Sequence, residues 1–157
     1  MTKPIPEGFH SLTPALVVND AAAAIEFYRR AFGAVELSRA IAPDGVKVWH
    51  ADLRIGDSRL MLNDAFPEQG SHGPDPEKGA VGFSIWLYVE DVDAVFQRAV
   101  DAGATVQMPV SDQFWGDRFG GLRDPFGHSW AIATRVEDVS AEESRRRAEQ
   151  FSASTGG

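Results

Sequence analysis

The hydrophobic positions of this chain form two similar blocks, each of which begins with a short apolar run. Residues 12–18 and 83–89 contain few polar side chains, as is typical of a buried strand. Each run is followed by an acidic residue suited to cap a helix, and then by apolar positions spaced three or four residues apart. This spacing predicts helices over 21–32 and 92–102, and a glycine directly after each is placed to end it.

Each predicted helix is followed by three further strands. Clusters of Gly, Pro, Asn and Asp separate these apolar runs and mark the turns between them. The last turn, Asp-Pro-Phe-Gly at 124–127, combines a proline that fixes φ with a glycine that accepts a positive φ. Both blocks therefore have the order β-α-β-β-β. The predicted strands are residues 35–41, 46–55, 59–63, 105–111, 117–123 and 128–135.

The two blocks are related by a nearly constant offset. Gly-Asp-Ser at 56–58 and Gly-His-Ser at 127–129 lie 71 residues apart, as do the strand ends at Val18 and Val89. An offset of 71 held from the first strand to the fourth predicts duplication of one structural unit. The predicted organisation is a first module over 11–64, a Pro- and Gly-rich linker over 65–80, a second module over 81–135 and a C-terminal helix over 140–151.

Composition narrows the classes of function. The chain has 157 residues, of which 43% are hydrophobic, enough for one packed domain of ordinary size. A net charge of −8 argues against a nucleic acid partner, and no apolar run approaches the roughly 20 residues of a membrane span. The N-terminus has no signal-peptide core, so we expect a cytoplasmic protein. Because cysteine is absent, disulfides, thiolate nucleophiles and Cys-based zinc sites are excluded.

Several motifs resemble those of a known family. The helix motif at 25–33, Ile-Glu-Phe-Tyr-Arg-Arg-Ala-Phe-Gly, and the Asp-Pro-Phe-Gly turn resemble the vicinal oxygen chelate superfamily of glyoxalases, bleomycin resistance proteins and extradiol dioxygenases. His-Ala-Asp-Leu-Arg-Ile-Gly-Asp-Ser at 50–58 and Trp-Gly-Asp-Arg-Phe-Gly at 115–120 resemble its PhnB-like branch. Over residues 11–135 the resemblance implies an α+β fold of two tandem βαβββ modules that form a curled half-barrel cleft, and a homodimer that completes two such clefts. It implies no particular reaction, because one fold hosts many functions.

The resembling enzymes hold a metal ion with one side chain from the first strand and one from the fourth strand of each module. By the resemblance and the offset of 71, these positions are Thr13, Leu60, Ser84 and Ala131. Hydroxyl and aliphatic side chains do not replace the imidazole or carboxylate ligands that divalent transition metals need. We therefore expect no metal site and no cofactor.

The alternation of side chains along a strand indicates what lines the cleft instead. If Ser84 faces the cleft, so do Trp86 and Tyr88, whereas Ile85 and Leu87 face the helix. As alternatives, the aromatic residues are core or dimer contacts, the histidine bonds within the sheet, and the Asp-Arg pair braces its loop. The candidate ligand-binding residues are His50, Trp86, Tyr88, Trp115, Asp117 and Arg118.

Three classes of function fit this sequence. The first is a metal-free protein that sequesters an aromatic small molecule, with a cationic, antibiotic-like compound as one candidate ligand. The second is a lyase or oxygenase that depends on a metal or uses His50 as a general base, with Arg118 or Tyr88 stabilising an oxyanion. The third is an interaction module that binds through its C-terminal helix. The unsuitable metal positions and the aromatic cleft favour the first class.

Overall fold

The computed structural model describes residues 2–79 and 81–156. It confirms the α+β fold with two tandem βαβββ modules and a C-terminal helix. The predicted linker contains one turn of 3-10 helix at Pro67–Gln69, and its last residue, Ala80, lies outside the described residues. The elements are β1 (Ala15–Val18), α1 (Ala21–Phe32), β2 (Val35–Ile41), β3 (Val48–Ile55), β4 (Ser58–Asp64), β5 (Ser84–Tyr88), α2 (Val92–Ala102), β6 (Thr105–Asp112), β7 (Asp117–Arg123), β8 (Ser129–Arg135) and α3 (Ala141–Thr155).

The helices α1 and α2 have the predicted bounds because their ends carry strong local signals. Asp20 caps α1 by accepting a hydrogen bond from the backbone N–H of Ala23 at 3.1 Å. Asp91 caps α2 in the same way, accepting from the backbone N–H of Ala94 at 3.1 Å. Gly33 ends α1 with a φ of 67°, in the left-handed region that favours glycine.

Each module forms one four-stranded mixed sheet. The strand orders are β1-β4-β3-β2 and β5-β8-β7-β6. The first strand of each module runs parallel to the fourth, and the other neighbours are antiparallel. The two helices contact each other, so one face of each sheet lies towards a shared core and the other face is left open.

The two modules are not related by a single offset, and the prediction that the offset of 71 extends to the fourth strand is wrong. Ala15 and Trp86 are 71 residues apart, but their cross-strand partners, Met61 and Ala131, are 70 residues apart. The turn before the fourth strand explains the slip. Pairing closes at Ile55 and Ser58 in the first module and at Arg123 and Ser129 in the second. The longer second turn shifts the register by one residue, which exchanges the two faces of a strand.

A single hydrophobic core holds the modules together. Phe32 of α1 packs on Trp130 of β8, with ring centroids 4.5 Å apart. Arg98 of α2 donates a hydrogen bond from Nε to the backbone oxygen of Ala31 at 3.1 Å. Within the described residues, no helix is long and apolar enough to cross a membrane.

Candidate functional site

Strand β5 places two aromatic side chains on the open face of the second sheet. Ile85 and Leu87 pack against the core, whereas Trp86 and Tyr88 on the opposite side are 42% and 55% exposed. This alternation agrees with the face assignment derived from the sequence. An exposed pair of large aromatic rings is an unusual feature for a monomer surface and marks a binding face.

Strand β7 adds a third ring to the same face and turns Arg118 away from it. Phe119 stacks on Trp86 with ring centroids 5.0 Å apart and an interplanar angle of 15°. Arg118 points to the α2 side, where its guanidinium pairs with Asp93 at 2.9 Å and with Asp112 at 3.2 Å. These hydrogen bonds lower the pKa of the Asp93 carboxyl. Arg118 is therefore occupied in bracing α2 and β6, not in lining the open face.

Four aromatic residues form a continuous surface, which we call the aromatic face: Trp86, Tyr88, Trp115 and Phe119. The Trp115 ring lies 6.5 Å from that of Trp86 and 5.8 Å from that of Phe119, and the Trp86 and Tyr88 rings are 6.2 Å apart. Sequence reasoning missed Phe119. Its signal was present, because it lies two residues after Asp117 on one strand and therefore shares its face.

A buried carboxylate lies beneath the aromatic face. Asp117 is 1% exposed, and its Oδ2 accepts hydrogen bonds from the Tyr88 hydroxyl at 2.8 Å and from Trp115 Nε1 at 3.0 Å. Arg135 Nε lies 3.2 Å from Oδ1 and balances the charge. This ion pair lacks hydrogen-bond geometry, since Oδ1 remains without a hydrogen-bond partner. The hydrogen bond to Asp117 raises the pKa of Tyr88.

These hydrogen bonds decide what the face presents to a ligand. The polar groups of Tyr88 and Trp115 are directed inward to Asp117 and are already satisfied. The rings therefore offer their apolar and π surfaces, and they are fixed in orientation by the bonds beneath them. Such a face can recognise a flat ring by stacking more readily than by polar contacts.

The first sheet has a different open face. His50 is exposed on β3, where it pairs across the strand with Ala40. Nearby on the same strand, Asp52 forms an ion pair with Arg59, whose guanidinium also lies over the Phe9 ring at 4.5 Å. This face is polar and charged. The structure thus brings Trp86, Tyr88, Trp115 and Asp117 together and leaves His50 and Arg118 outside that set.

The positions implied for a metal site do not form one. Ser84 and Ala131 lie in neighbouring strands of the second sheet. Leu60, by contrast, is 3% exposed and packs in the core, and the one-residue slip gives Met61 its place beside Ala15. Neither set supplies imidazole or carboxylate ligands. Over residues 2–79 and 81–156, no group of three or more His, Asp or Glu side chains could hold a metal ion.

A cavity of about 200 Å³ lies between the modules. Thr13 and Leu60 line it on one side, and Ile85, Leu87 and Trp130 line it on the other. Its walls are mainly apolar, and Trp86 lies at its edge. The cavity therefore adjoins the aromatic face and extends the apolar surface that is available there.

Comparison with known proteins places these features in a family. The sequence profile of the Glyoxalase/Bleomycin resistance protein/Dioxygenase superfamily matches residues 9–132. Mb0911c, an uncharacterized protein of Mycobacterium bovis, is 50% identical over 135 residues, which cover 85% of this chain and 88% of that protein. The match to the profile ends within β8, so α3 lies beyond it.

Two solved structures are similar over most of the chain. TioX from Micromonospora sp. ML1 superposes with a TM-score of 0.62 at 27% identity, covering 81% of this chain and 99% of that one. The PhnB protein from Bacillus cereus has a TM-score of 0.63 at 20% identity, covering 80% and 99%. At the latter identity, the similarity shows the fold alone.

Proposed function

The chain belongs to the Glyoxalase/Bleomycin resistance protein/Dioxygenase superfamily, and within it we propose that the chain is a small-molecule-binding protein that stacks a flat aromatic ligand on the aromatic face. The observation that carries this proposal is the set of four adjacent rings anchored to one buried carboxylate. Rings held by hydrogen bonds lose little side-chain freedom on binding, which favours affinity.

The donor chemistry supports binding without a metal. The positions that would carry the ligands hold hydroxyl, thioether and methyl groups, so no step of a reaction is assigned to a metal ion here. His50 lies on the first sheet, outside the ring cluster. It therefore has no reacting group beside it on the aromatic face to serve as its substrate-orienting partner.

The charge of the protein bears on which aromatic ligands bind best. The net charge of −8 favours the approach of a cation. Asp117 adds little to this preference at short range, because Arg135 neutralises it. The proposed ligand is therefore an aromatic molecule recognised by its rings, with a preference for cationic members that weakens as salt is added.

The proposal includes a homodimer in which a second copy covers the aromatic face. The exposed rings of Trp86 and Tyr88 support it, since contiguous exposed aromatic surface is typical of an interface or a ligand site. Light scattering over a dilution series tests this part. A monomer at every concentration would remove the dimer from the proposal and leave ligand binding to be tested by itself.

Ligand binding is tested with two fluorescent probes, the flat aromatic cation thioflavin T and the aromatic anion ANS. We expect Trp86→Ala to weaken thioflavin T binding by about tenfold or more, because a stacking surface is lost. Trp49→Ala is the matched control. Trp49 is also exposed and stacked, but on Phe66 in the first module, with centroids 4.6 Å apart. Equal losses in both variants, or no probe binding by the unmodified protein, would refute the proposal.

Sequestration in a cell is tested separately. If the protein protects against an aromatic antibiotic, expression should raise the tolerance of a sensitive host, and Trp86→Ala should abolish the increase at equal protein level. Unchanged tolerance to every aromatic antibiotic bound in vitro would separate binding from resistance. Metal dependence is tested by titrating Zn²⁺ and Ni²⁺ into stripped protein, where we expect no stoichiometric binding.

A further inference from the structure

Helix α3 lies beyond the matched part of the chain and is attached to the rest in an unusual way. Ser140 caps it by accepting a hydrogen bond from the backbone N–H of Glu143 at 3.1 Å. Helices usually attach by burying an apolar stripe, but α3 has no buried residue. A small number of specific contacts must therefore hold it, and they converge on one turn.

The first contact is made by Arg147. Its guanidinium pairs with Glu137 through two hydrogen bonds of 2.8 and 3.0 Å, and with Glu143 at 2.9 Å. Its Nη1 also donates to the backbone oxygen of Phe114 at 3.3 Å. One side chain of α3 thus bonds its own helix, the segment after β8 and the loop that precedes β7.

The second contact is aromatic. The Phe151 ring lies 5.8 Å from that of Phe114, which meets Trp115 edge-to-face at 5.0 Å and 87°. Trp115 in turn donates to Asp117 beneath the aromatic face. A continuous series of ring contacts therefore runs from α3 to the aromatic face.

The loop between these contacts is a tight turn over residues 113–117, which we call the 113–117 turn. The backbone N–H of Gln113 donates to the Asp117 oxygen at 2.7 Å, and that of Gly116 donates to the Gln113 oxygen at 3.2 Å. Gly116 has a φ of 101°, and a Cβ there would lie 2.2 Å from the Glu137 oxygen. The turn therefore packs directly on the segment that leads into α3.

We infer that α3 is a positioning element of the aromatic face, in which Arg147 and Phe151 hold Phe114. Phe114 in turn fixes the Trp115 ring beside Asp117. Since α3 buries no residue, its docking is weak enough to be shifted by a ligand. Coupling is reciprocal, so a ligand that stacks on Trp115 also favours the docked helix. The effect on ligand affinity rests on the proposed function, whereas the effect on the 113–117 turn does not.

Two single variants of the full chain test the inference, Arg147→Ala and Phe151→Ala. The matched control is Arg145→Ala, because Arg145 lies on the same helix and contacts only Glu149, at 3.8 Å. Hydrogen exchange of the 113–117 turn is measured without ligand. We expect exchange there to accelerate about threefold or more in both test variants, while the unfolding midpoint of the protein stays that of the control.

Thioflavin T affinity gives the second measurement. We expect both test variants to bind roughly three- to tenfold more weakly than Arg145→Ala. Exchange in the 113–117 turn equal to that of the control would overturn the inference, whatever the affinities. If the unmodified protein binds no probe but exchange still accelerates, the positioning role stands and the proposed function fails. Phe151→Leu, which keeps an apolar contact with Phe114, should restore most of the protection.

Discussion

Tyr28 of the first module donates a 2.6 Å hydrogen bond to Asp124 Oδ2 of the second module. The same oxygen accepts from Trp130 Nε1 at 2.9 Å, and Oδ1 accepts from the backbone N–H groups of Phe126 and His128 at 2.9 and 3.0 Å. Asp124 therefore fixes its own turn and joins the modules. Because the site depends on how the second sheet is held, this buried carboxylate supports the aromatic face from behind.

Replacing Asp124 should destabilise the whole protein. Asp124→Ala removes four hydrogen bonds and leaves two buried side-chain donors unpaired, which costs about 3–5 kcal/mol in the free energy of unfolding. Urea denaturation followed by circular dichroism measures the loss. Asp57→Ala is the control, since Asp57 is exposed in the corresponding turn and accepts only from Ser58. A loss for Asp124→Ala within about 1 kcal/mol of that control would contradict the assigned role.

The Tyr28 hydroxyl predicts how stability depends on alkaline pH. Burial, followed by the negative charge of Asp124, raises the pKa of Tyr28 well above its usual value. A pKa that is raised in the folded state contributes stability that is fully present below about pH 10 and is lost as the pH rises towards the folded-state pKa. We therefore expect stability to fall above about pH 10 in the unmodified protein.

Tyr28→Phe isolates this effect. The variant should lose about 1–2 kcal/mol at neutral pH, because the hydroxyl no longer bonds Asp124. Its stability should then depend less on pH above about pH 10 than that of the unmodified protein. Parallel alkaline slopes for the two proteins, measured by urea denaturation at several pH values, would be inconsistent with a titrating Tyr28.

Much of the fold could be predicted from local signals. The bounds of α1 and α2 follow from Asp20, Asp91 and the glycines that end them, because capping is a contact within a few residues of sequence. The buried role of Asp124 could not be predicted in the same way. Its turn is legible in the sequence, but Tyr28 lies 96 residues away and is brought to it only by packing.

The candidate site was predictable only as far as strand register. Alternation along β5 correctly paired Trp86 with Tyr88 on an exposed face. Leu60 was placed on the open face because two turns with similar sequences were assumed to have equal length, and turn length decides register. Arg118 was a candidate because it follows Asp117, yet neighbours on a strand point to opposite faces, and only the structure shows which neighbour is inside.

Adjacent glycines in β7 should tolerate a methyl group very differently. A Cβ on Gly120 would lie 2.6 Å from the Phe96 ring and 2.9 Å from Val110, whereas a Cβ on Gly121 meets Met108 at 3.4 Å. Gly120→Ala must therefore push α2 away from the sheet, which costs about 1–3 kcal/mol. Gly121→Ala should change the free energy of unfolding by less than about 1 kcal/mol. Similar thermal shifts for the two variants would show that α2 packs less closely than described.

Arg118 should be dispensable for ligand binding. Its partners Asp93 and Asp112 are exposed, so Arg118→Ala should lower the free energy of unfolding by no more than about 1 kcal/mol. Thioflavin T affinity should stay within about twofold of the unmodified protein, because the side chain lies on the α2 side of β7. A tenfold loss of affinity with normal folding would return Arg118 to the binding surface.

The docking of α3 should weaken in acid. Hydrogen bonds from Arg146 and then Arg147 lower the pKa of the Glu143 carboxyl to about 2. A lowered folded-state pKa stabilises docking at pH values above the usual 4.5 and loses that effect as the pH falls towards about 2. An NMR titration of the Glu143 carboxyl should therefore have its midpoint far below 4.5. Arg146→Ala should raise that midpoint and Arg145→Ala should leave it in place, so equal midpoints in the two variants would exclude these arginines as the cause.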